Sequence, residues 1–326
     1  MKKTTIKDVA KLAGVSVSTV SLVLNNTNKP IKEETKEKVF SAAKELNYTP
    51  NFIAKSLVTK KTNIVAIIVP DITNPYFSEI AKKIEEIISV IDYSIILVND
   101  SENNMRKIFS FINNGLIDGI LVATRNREFL NKLFDINYNK FVVLDEIHDI
   151  KNNYNLITCN NIKGGYIAIE HLIESNYKNI AIITGTKNTP NSNRRYQGAI
   201  SKIKETDLNF VDIQEGDYTF ESGYLACSKL NLKNIDSIFA FNDLMAYGAI
   251  RYLSEHNIKI KDDIGVIGYD NINISKYIYP TLTTIDQNIE QIAKKAINRL
   301  LKLITEEDVL SEELYVQPIL IKGITT

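Results

Sequence analysis

Along the first 60 residues the apolar positions recur every three or four places, whereas from Asn63 onward they form short unbroken runs separated by helical stretches. The first pattern belongs to small amphipathic helices, the second to parallel strands buried on both faces. In TIKDVAKLAGVSVSTVSLVL, Thr5 with Asp8 three places on reads as a helix start, and Val9, Ala10 and Leu12 have spacings that suit one buried face. Gly14 ends that helix at little cost, because a left-handed terminal residue is easiest without a Cβ. Ser16 reads as the cap of a second helix, with Val20, Val23 and Leu24 inward and Val17, Ser18, Ser21 and Leu22 on or near the outer face. Two short helices around a Gly turn set a helix in the DNA major groove, but they also occur as a generic pair in all-α domains. A third helix follows Pro30, with Val39, Phe40, Ala42, Ala43 and Leu46 as its apolar stripe, and ends at Tyr48-Thr49-Pro50. Beyond it, NFIAKSLVTKKTN is either one more helical turn or a plain linker, too short to be stable without a partner.

In the remaining 265 or so residues the candidate strands are Ile64 to Val69, Ser94 to Val98, Gly119 to Val122, Phe141 to Leu144, Ile180 to Thr184, Ser237 to Phe241 and Ile264 to Gly268. Helical segments such as Phe77 to Val90 and Gly164 to Ser175 lie between them, the alternation of a parallel α/β sheet. That length exceeds one typical core, so two lobes are expected.

Charge separates the same two regions. Residues 1 to 61 carry twelve Lys against Asp8, Glu33, Glu34, Glu37 and Glu45, a balance of +7, and since the whole chain is neutral the rest carries −7. A basic head suits phosphate binding, which is driven by release of counterions, although a basic stretch is also an ordinary solvated surface. The start MKKTTIKDVA is followed by no apolar core of a secretion signal, and no long apolar span appears, so a cytosolic protein without a membrane segment is expected. Cys159 and Cys227 read as free buried thiols, and His148, His171 and His256 stand at no metal-like spacing. No P-loop, GxSxG elbow or HExxH helix is present; neither catalysis nor a metal or other cofactor is expected.

Polar residues do cluster just past the strand ends, where open α/β sheets bind ligands: Asp71 and Asn74, Asp145 and Glu146, Asn242 and Asp243, Asp270 and Asn271. Asn242 also reads as a helix cap, and Asp243 more so; Tyr76 and Phe77 also read as core aromatics, and Arg194 and Arg195 as surface charges. All seven Arg lie beyond residue 100 in a chain that otherwise uses Lys, which favours a geometric need for a guanidinium.

The chain resembles the lactose-repressor/galactose-repressor family of bacterial transcription regulators along essentially its whole length. The motifs, in the family's order, are TIKDVAKLAGVSVSTVS, ELNYTPNFIAKSLVTKKT, VPDITNPYF, IDGILVA, VVLDE, NNIKGGYIAIEHLI, NIAIITG, RRYQGA, GDYTFESGY, FAFNDLMAYGAI, DIGVIGYDN and YPTLTTIDQ. The resemblance implies a small all-α helix-turn-helix head plus an α/β body of two periplasmic-binding-protein-like, doubly wound parallel-sheet subdomains with three chain crossings. On that template residues 1–49 are the DNA-binding domain, 50–61 a hinge helix or linker, and 62–326 the effector-binding and dimerisation domain. Its first lobe spans about 62–160 plus 285–310 and its second about 161–284 plus 311–326.

With Val17, Ser18, Ser21 and Leu22 already on or near the outer face, the resemblance assigns Thr5, Ser16, Val17, Ser18, Thr19, Ser21, Leu22, Asn25, Ala54, Lys55 and Leu57 to DNA, and implies that Val17 and Ser18 read bases and that Leu57 wedges into the minor groove. The implied partner is a pseudo-palindromic double-stranded operator bound by a homodimer. Two departures stand out: Leu22 replaces an Arg that many relatives carry, shifting discrimination toward DNA shape, and Lys32 replaces a common capping Ser. The resemblance assigns Asn74, Tyr76, Phe77, Asp145, Arg195, Tyr218, Asn242, Asp270 and Gln287 to a small-molecule effector. Their acids outnumber Arg195, which disfavours an anion, while amides and carboxylates suit vicinal hydroxyls and the aromatics a ring face. A small neutral sugar is therefore expected, on a polar pattern like that of ribose-binding proteins, although Glu146 stands where those have Arg. One branch of the family binds purines, which gives the alternative of a purine-responsive regulator; a global carbon-control factor and a transport-type sugar-binding protein are further alternatives. The function implied is a repressor of a carbohydrate-utilisation operon whose lobes, on closing over the sugar, change how the hinges fold together on DNA.

Overall fold

The computed structural model describes residues 4–24, 30–49, 61–124, 126–145, 153–206, 208–306 and 309–326. The chain divides into two compact units, Met1–Thr62 and Asn63–Thr326. The first holds α1 (Ile6–Ala13), α2 (Val17–Leu24) and α3 (Glu33–Glu45) around Val9, Ala10, Val20, Val23, Val39, Ala42 and Ala43. Asp8 Oδ2 accepts hydrogen bonds from Thr5 N (2.9 Å) and Thr5 Oγ1 (2.7 Å), so the acid closes the first turn as its spacing predicts. Gly14 adopts φ +66°, and its N–H donates to Ala10 O. Ser16 Oγ accepts from Thr19 N at 3.1 Å and caps α2. Two apolar expectations fail: Leu12 is 47% and Phe40 52% exposed. The reason is angular, since each lies roughly 110° around its helix from the centre of the buried stripe. Lys32 provides no side-chain cap to α3.

In the second unit the apolar runs become strands because a backbone buried on both faces can satisfy its hydrogen bonds only in a ladder. One sheet runs β11-β5-β4-β3-β1-β2, parallel throughout: β1 (Ile64–Val69), β2 (Ser94–Asn99), β3 (Gly119–Val122), β4 (Phe141–Val143), β5 (Leu156–Cys159) and β11 (Glu313–Val316). The other runs β12-β10-β9-β8-β6-β7, with β6 (Asn179–Thr184), β7 (Asn209–Glu215), β8 (Ser237–Ala240), β9 (Gly265–Asp270), β10 (Thr283–Asp286) and an antiparallel β12 (Ile319–Ile321). Helices α4 (Pro75–Ser89), α5 (Glu102–Asn113), α6 (Arg127–Asp135) and α11 (Ile289–Thr305) belong to the first lobe. Helices α7 (Asn161–Glu174), α8 (Pro190–Lys204), α9 (Phe220–Lys229) and α10 (Asp243–Glu255) belong to the second. The first sheet is packed on both faces, one side around Ile67, Ile84 and Ile297 and the other around Ile68, Ile108 and Phe129. Each fully buried side chain of this size stabilises by ~1.5–3 kcal/mol.

The chain crosses between lobes after β5, after β10 and between β11 and β12. The later exchanges fall beyond their expected places: Thr283–Asp286 still pairs with β9, and Glu313–Val316 still joins the first sheet beside β5. Short polar strands such as TTID and ELYV carry too little apolar signal to betray the sheet they join; β7 is interrupted by polar residues, and β5 and β12 are apolar but only four and three residues long. Among the described residues no helix is long and apolar enough to cross a membrane, and no group of His, Cys, Asp and Glu is placed to hold a metal ion.

Candidate DNA-reading helix and effector pocket

In the first unit, α2 presents Val17 (40% exposed) and Ser18 outward, with Ser21 and Leu22 half-buried behind them. Ser16 Oγ lies 2.7 Å from Ser18 Oγ and 2.8 Å from Thr19 Oγ1, so one capping hydroxyl ties the helix's first turn together. Thr5 sits at the start of α1 with its hydroxyl held by Asp8. Of the residues assigned to DNA, Asn25, Ala54, Lys55 and Leu57 lie outside the described residues.

In the second unit, the strands between β7 and β10 repeat the order found between β2 and β5, and the carboxyl ends of both sheets face one cleft. Asn74, Tyr76 and Phe77 at the start of α4, Asp145 after β4, Arg195 on α8, Tyr218 after β7, Asp270 ending β9 and Gln287 after β10 all line it. The empty space inside it, counted out to open solvent, is about 510 Å³.

Arg195 reaches the cleft because α7 and α8 approach closely: a Cβ on Gly165 would stand 2.0 Å from the Arg195 carbonyl oxygen, and one on Gly198 1.9 Å from that of Ile162. The guanidinium, in a residue only 3% exposed, lies 3.7 Å above the Tyr269 ring. Its Nε donates to Asn161 Oδ1 (2.8 Å), its Nη1 to the Phe241 carbonyl, and its Nη2 stands 3.9 Å from Asp270 Oδ1. Burial opposes its charge, but Tyr269, Asp270 and Tyr218 outweigh that and hold it protonated. Gln287 Nε2 donates to Asp270 Oδ1 at 2.6 Å. Burial pushes the Asp270 carboxyl up to about 7, with Arg195 and Gln287 pulling the other way. Burial, Asp145 and Asp270 keep the Tyr76 hydroxyl neutral, and its ring meets Phe77 edge-on at 5.2 Å.

Backbone strain gathers at this rim. Tyr218 (φ +73°), Asp270 (φ +113°) and Asn271 (φ +56°) all occupy the left-handed side of conformational space, a cost that packed surroundings must hold in place. Hydrogen bonds also cross between the lobes: Asn191 Nδ2 donates to Asp145 Oδ1, and Asn273 N donates to Glu79 Oε1 at 2.6 Å.

Asn242 departs from its assignment. It is 1% exposed and caps α10, its Oδ1 accepting from Met245 N (2.9 Å) while its Nδ2 donates to Tyr218 O (2.9 Å); it supports the rim without lining the cleft. Nor is Asp243 the cap. Fully buried, it accepts from Ile272 N (2.9 Å), Ser275 Oγ (3.4 Å) and Thr284 Oγ1 (2.5 Å), and burial drives its carboxyl well above the usual range. Thr189, Pro190 and Asn191, which also line the cleft, were missed, although Thr-Pro after a strand is a helix-start signal that points to them. Asn161 and Tyr269 carry no such signal, since a buried amide and a strand tyrosine look like core.

Residues 5–51 match the family model "Bacterial regulatory proteins, lacI family", and residues 169–326 match "Periplasmic binding protein-like domain". The HTH-type transcriptional repressor PurR of Histophilus somni is 38% identical over 99% of both chains. The Lac repressor bound to ONPG in its repressed state superposes over the full length of both chains with a TM-score of 0.86 at 26% identity. A LacI family transcriptional regulator from Enterococcus faecium with bound ribose matches at 27% identity and a TM-score of 0.72 over 81% of this chain and 98% of that one. A capped two-helix reader, a two-lobed body with a polar cleft and full-length likeness to these repressors converge: the chain belongs to the lacI family of bacterial regulatory proteins and is a DNA-binding transcriptional repressor.

Proposed function

We propose that a small neutral sugar, with ribose as the lead candidate, binds between the lobes and controls operator binding by a homodimer. The observation that carries this reading is the buried Arg195–Asp270–Gln287 set facing Asp145: fixed donors and acceptors with no surplus positive charge. Such a set matches vicinal hydroxyls, each both donor and acceptor, and repels a phosphate. The likeness to a regulator with bound ribose supports the same class. On the DNA side, Val17 and Ser18 contact bases and Leu57 enters the minor groove of a pseudo-palindromic site.

A second reading has its own support. The PurR name is carried by relatives 32% to 38% identical along nearly the whole chain, which favours a purine lying against Tyr76, Phe77 or Tyr218. Thermal melting of the full chain against pentoses, hexoses, hypoxanthine, guanine and sugar phosphates separates the two. A ligand at 100 times its dissociation constant adds about 2.7 kcal/mol. Stabilisation by a free sugar supports the first reading; stabilisation by a purine alone replaces it.

A further inference from the structure

We propose that Asn161 is a positioning residue of the effector pocket, holding Arg195 in place and, through Asn191, setting one of the hydrogen bonds that join the lobes. The proposal rests on the reading that the cleft binds an effector. Asn161 opens α7, immediately after the chain's first crossing from one lobe to the other, and is 1% exposed. It does not line the cleft. Its Oδ1 accepts from Arg195 Nε (2.8 Å) and from Tyr269 OH (3.2 Å). Its Nδ2 donates to Asn191 Oδ1 (3.2 Å) and to the Cys159 carbonyl at the end of β5 (3.3 Å). A carboxamide is the compact side chain that offers two acceptor positions and two donors on one plane, and here all four are used.

The consequences run in two directions. Without the Oδ1 acceptor, Arg195 Nε is a buried charged donor with one partner fewer, and the Tyr269 hydroxyl is left with its 3.6 Å contact to Cys159 Sγ. Without the Nδ2 donor, Asn191 loses the bond that orients its own Nδ2 toward Asp145 across the cleft. Capping is not the role of Asn161, because the neighbouring Asn160 already caps α7, its Oδ1 accepting from Lys163 N at 3.0 Å. Position and chemistry therefore separate: Asn160 serves the helix, and Asn161 serves the pocket from both lobes.

The test uses the full chain, with D-ribose and hypoxanthine as calorimetric probes and the Arg195 Nε–H signal in nitrogen-resolved NMR as a readout that needs no ligand. Asn161→Ala is expected to weaken whichever probe binds by roughly tenfold or more, and to abolish the slowly exchanging Nε–H signal. Asn161→Asp keeps an acceptor for Arg195 but loses the donor to Asn191, and is expected to restore the Nε–H signal while recovering affinity only in part. Asn160→Ala is expected to lower the melting temperature while leaving affinity and signal unchanged. Should Asn161→Ala not fold, Asn161→Ser, whose hydroxyl is too short to reach Nε, takes its place. Wild-type affinity with a protected Nε–H in the Ala or Ser variant overturns the proposal, as does an Asp variant whose Nε–H signal is no better protected than that of Ala. If neither probe binds the wild type, the ribose and purine readings fail, and the Nε–H signal alone then judges Asn161.

Discussion

The proposed DNA-reading surface and the proposed effector pocket are built by opposite means. In the head, eight contiguous residues of α2 carry the outward side chains, Val17 and Ser18 remain exposed, and a net +7 over residues 1 to 61 comes from scattered lysines. In the body, the groups proposed to recognise the effector line a cleft between both sheets, and Arg195, Asp270 and Gln287 among them are at most 4% exposed. A solvated basic surface gains affinity from long-range attraction and counterion release, tolerating loose geometry. A buried charge gains affinity only when its partners are fixed, since an unpaired one costs more than the pair returns. The head therefore spends its sequence on charge and helix ends, and the body on positions.

Salt is the harshest way to break this contrast. If the head makes some six to ten phosphate contacts, operator affinity is expected to fall roughly 10³–10⁵-fold between 50 and 200 mM salt. Binding of a neutral sugar to the body is expected to stay nearly flat over the same range. A gel-shift titration beside calorimetry reads both, and parallel slopes would erase the distinction.

Next in size is loss of a pocket charge. Arg195→Ala and Asp270→Ala are each expected to raise the sugar's dissociation constant roughly ten- to a hundredfold, with operator binding in the absence of sugar preserved. Unchanged calorimetric affinity in both variants would remove these residues from the site.

The Asp270 carboxyl, held at about 7, sharpens the comparison further, because the head has no buried carboxylate of this kind among its described residues. The folded pKa is raised above the ordinary value of 3.8, so the folded state binds the proton more readily. Its contribution to stability is then fullest below about pH 4 and is lost as pH rises through 7. The melting temperature of Asp270→Asn relative to wild type is expected to climb between pH 5 and pH 8. Sugar affinity moves the other way, weakening below pH 7 as the acceptor is protonated. A pH-independent difference between the two proteins would show that the carboxyl is not held in this state.

The smallest expected effect belongs to the head. Ser16→Ala removes the α2 cap and is expected to cost ~1 kcal/mol, read as faster amide exchange in residues 17–24, with the body's melting unchanged.

What the sequence by itself determined is whatever depends on neighbours in the chain: the helix ends at Thr5, Gly14 and Ser16, the main buried strands, the charge division and the family's motifs. Of the nine residues that the family resemblance assigned to the effector, eight line the cleft, most of them just past strand ends, which converge in a parallel sheet, with Arg195 coming from α8. Tertiary structure alone decided the rest. Leu12 and Phe40 face solvent because three helices share only one small core. Glu313–Val316 joins the first lobe because its ladder partner β5 lies there, more than 150 residues back. Asn242 supports the rim while Asp243 is buried, the reverse of what two adjacent polar residues suggest. Asn161 and Tyr269, each ordinary in one dimension, matter because folding brings Arg195 between them, and no local periodicity records a hydrogen bond made across 34 residues.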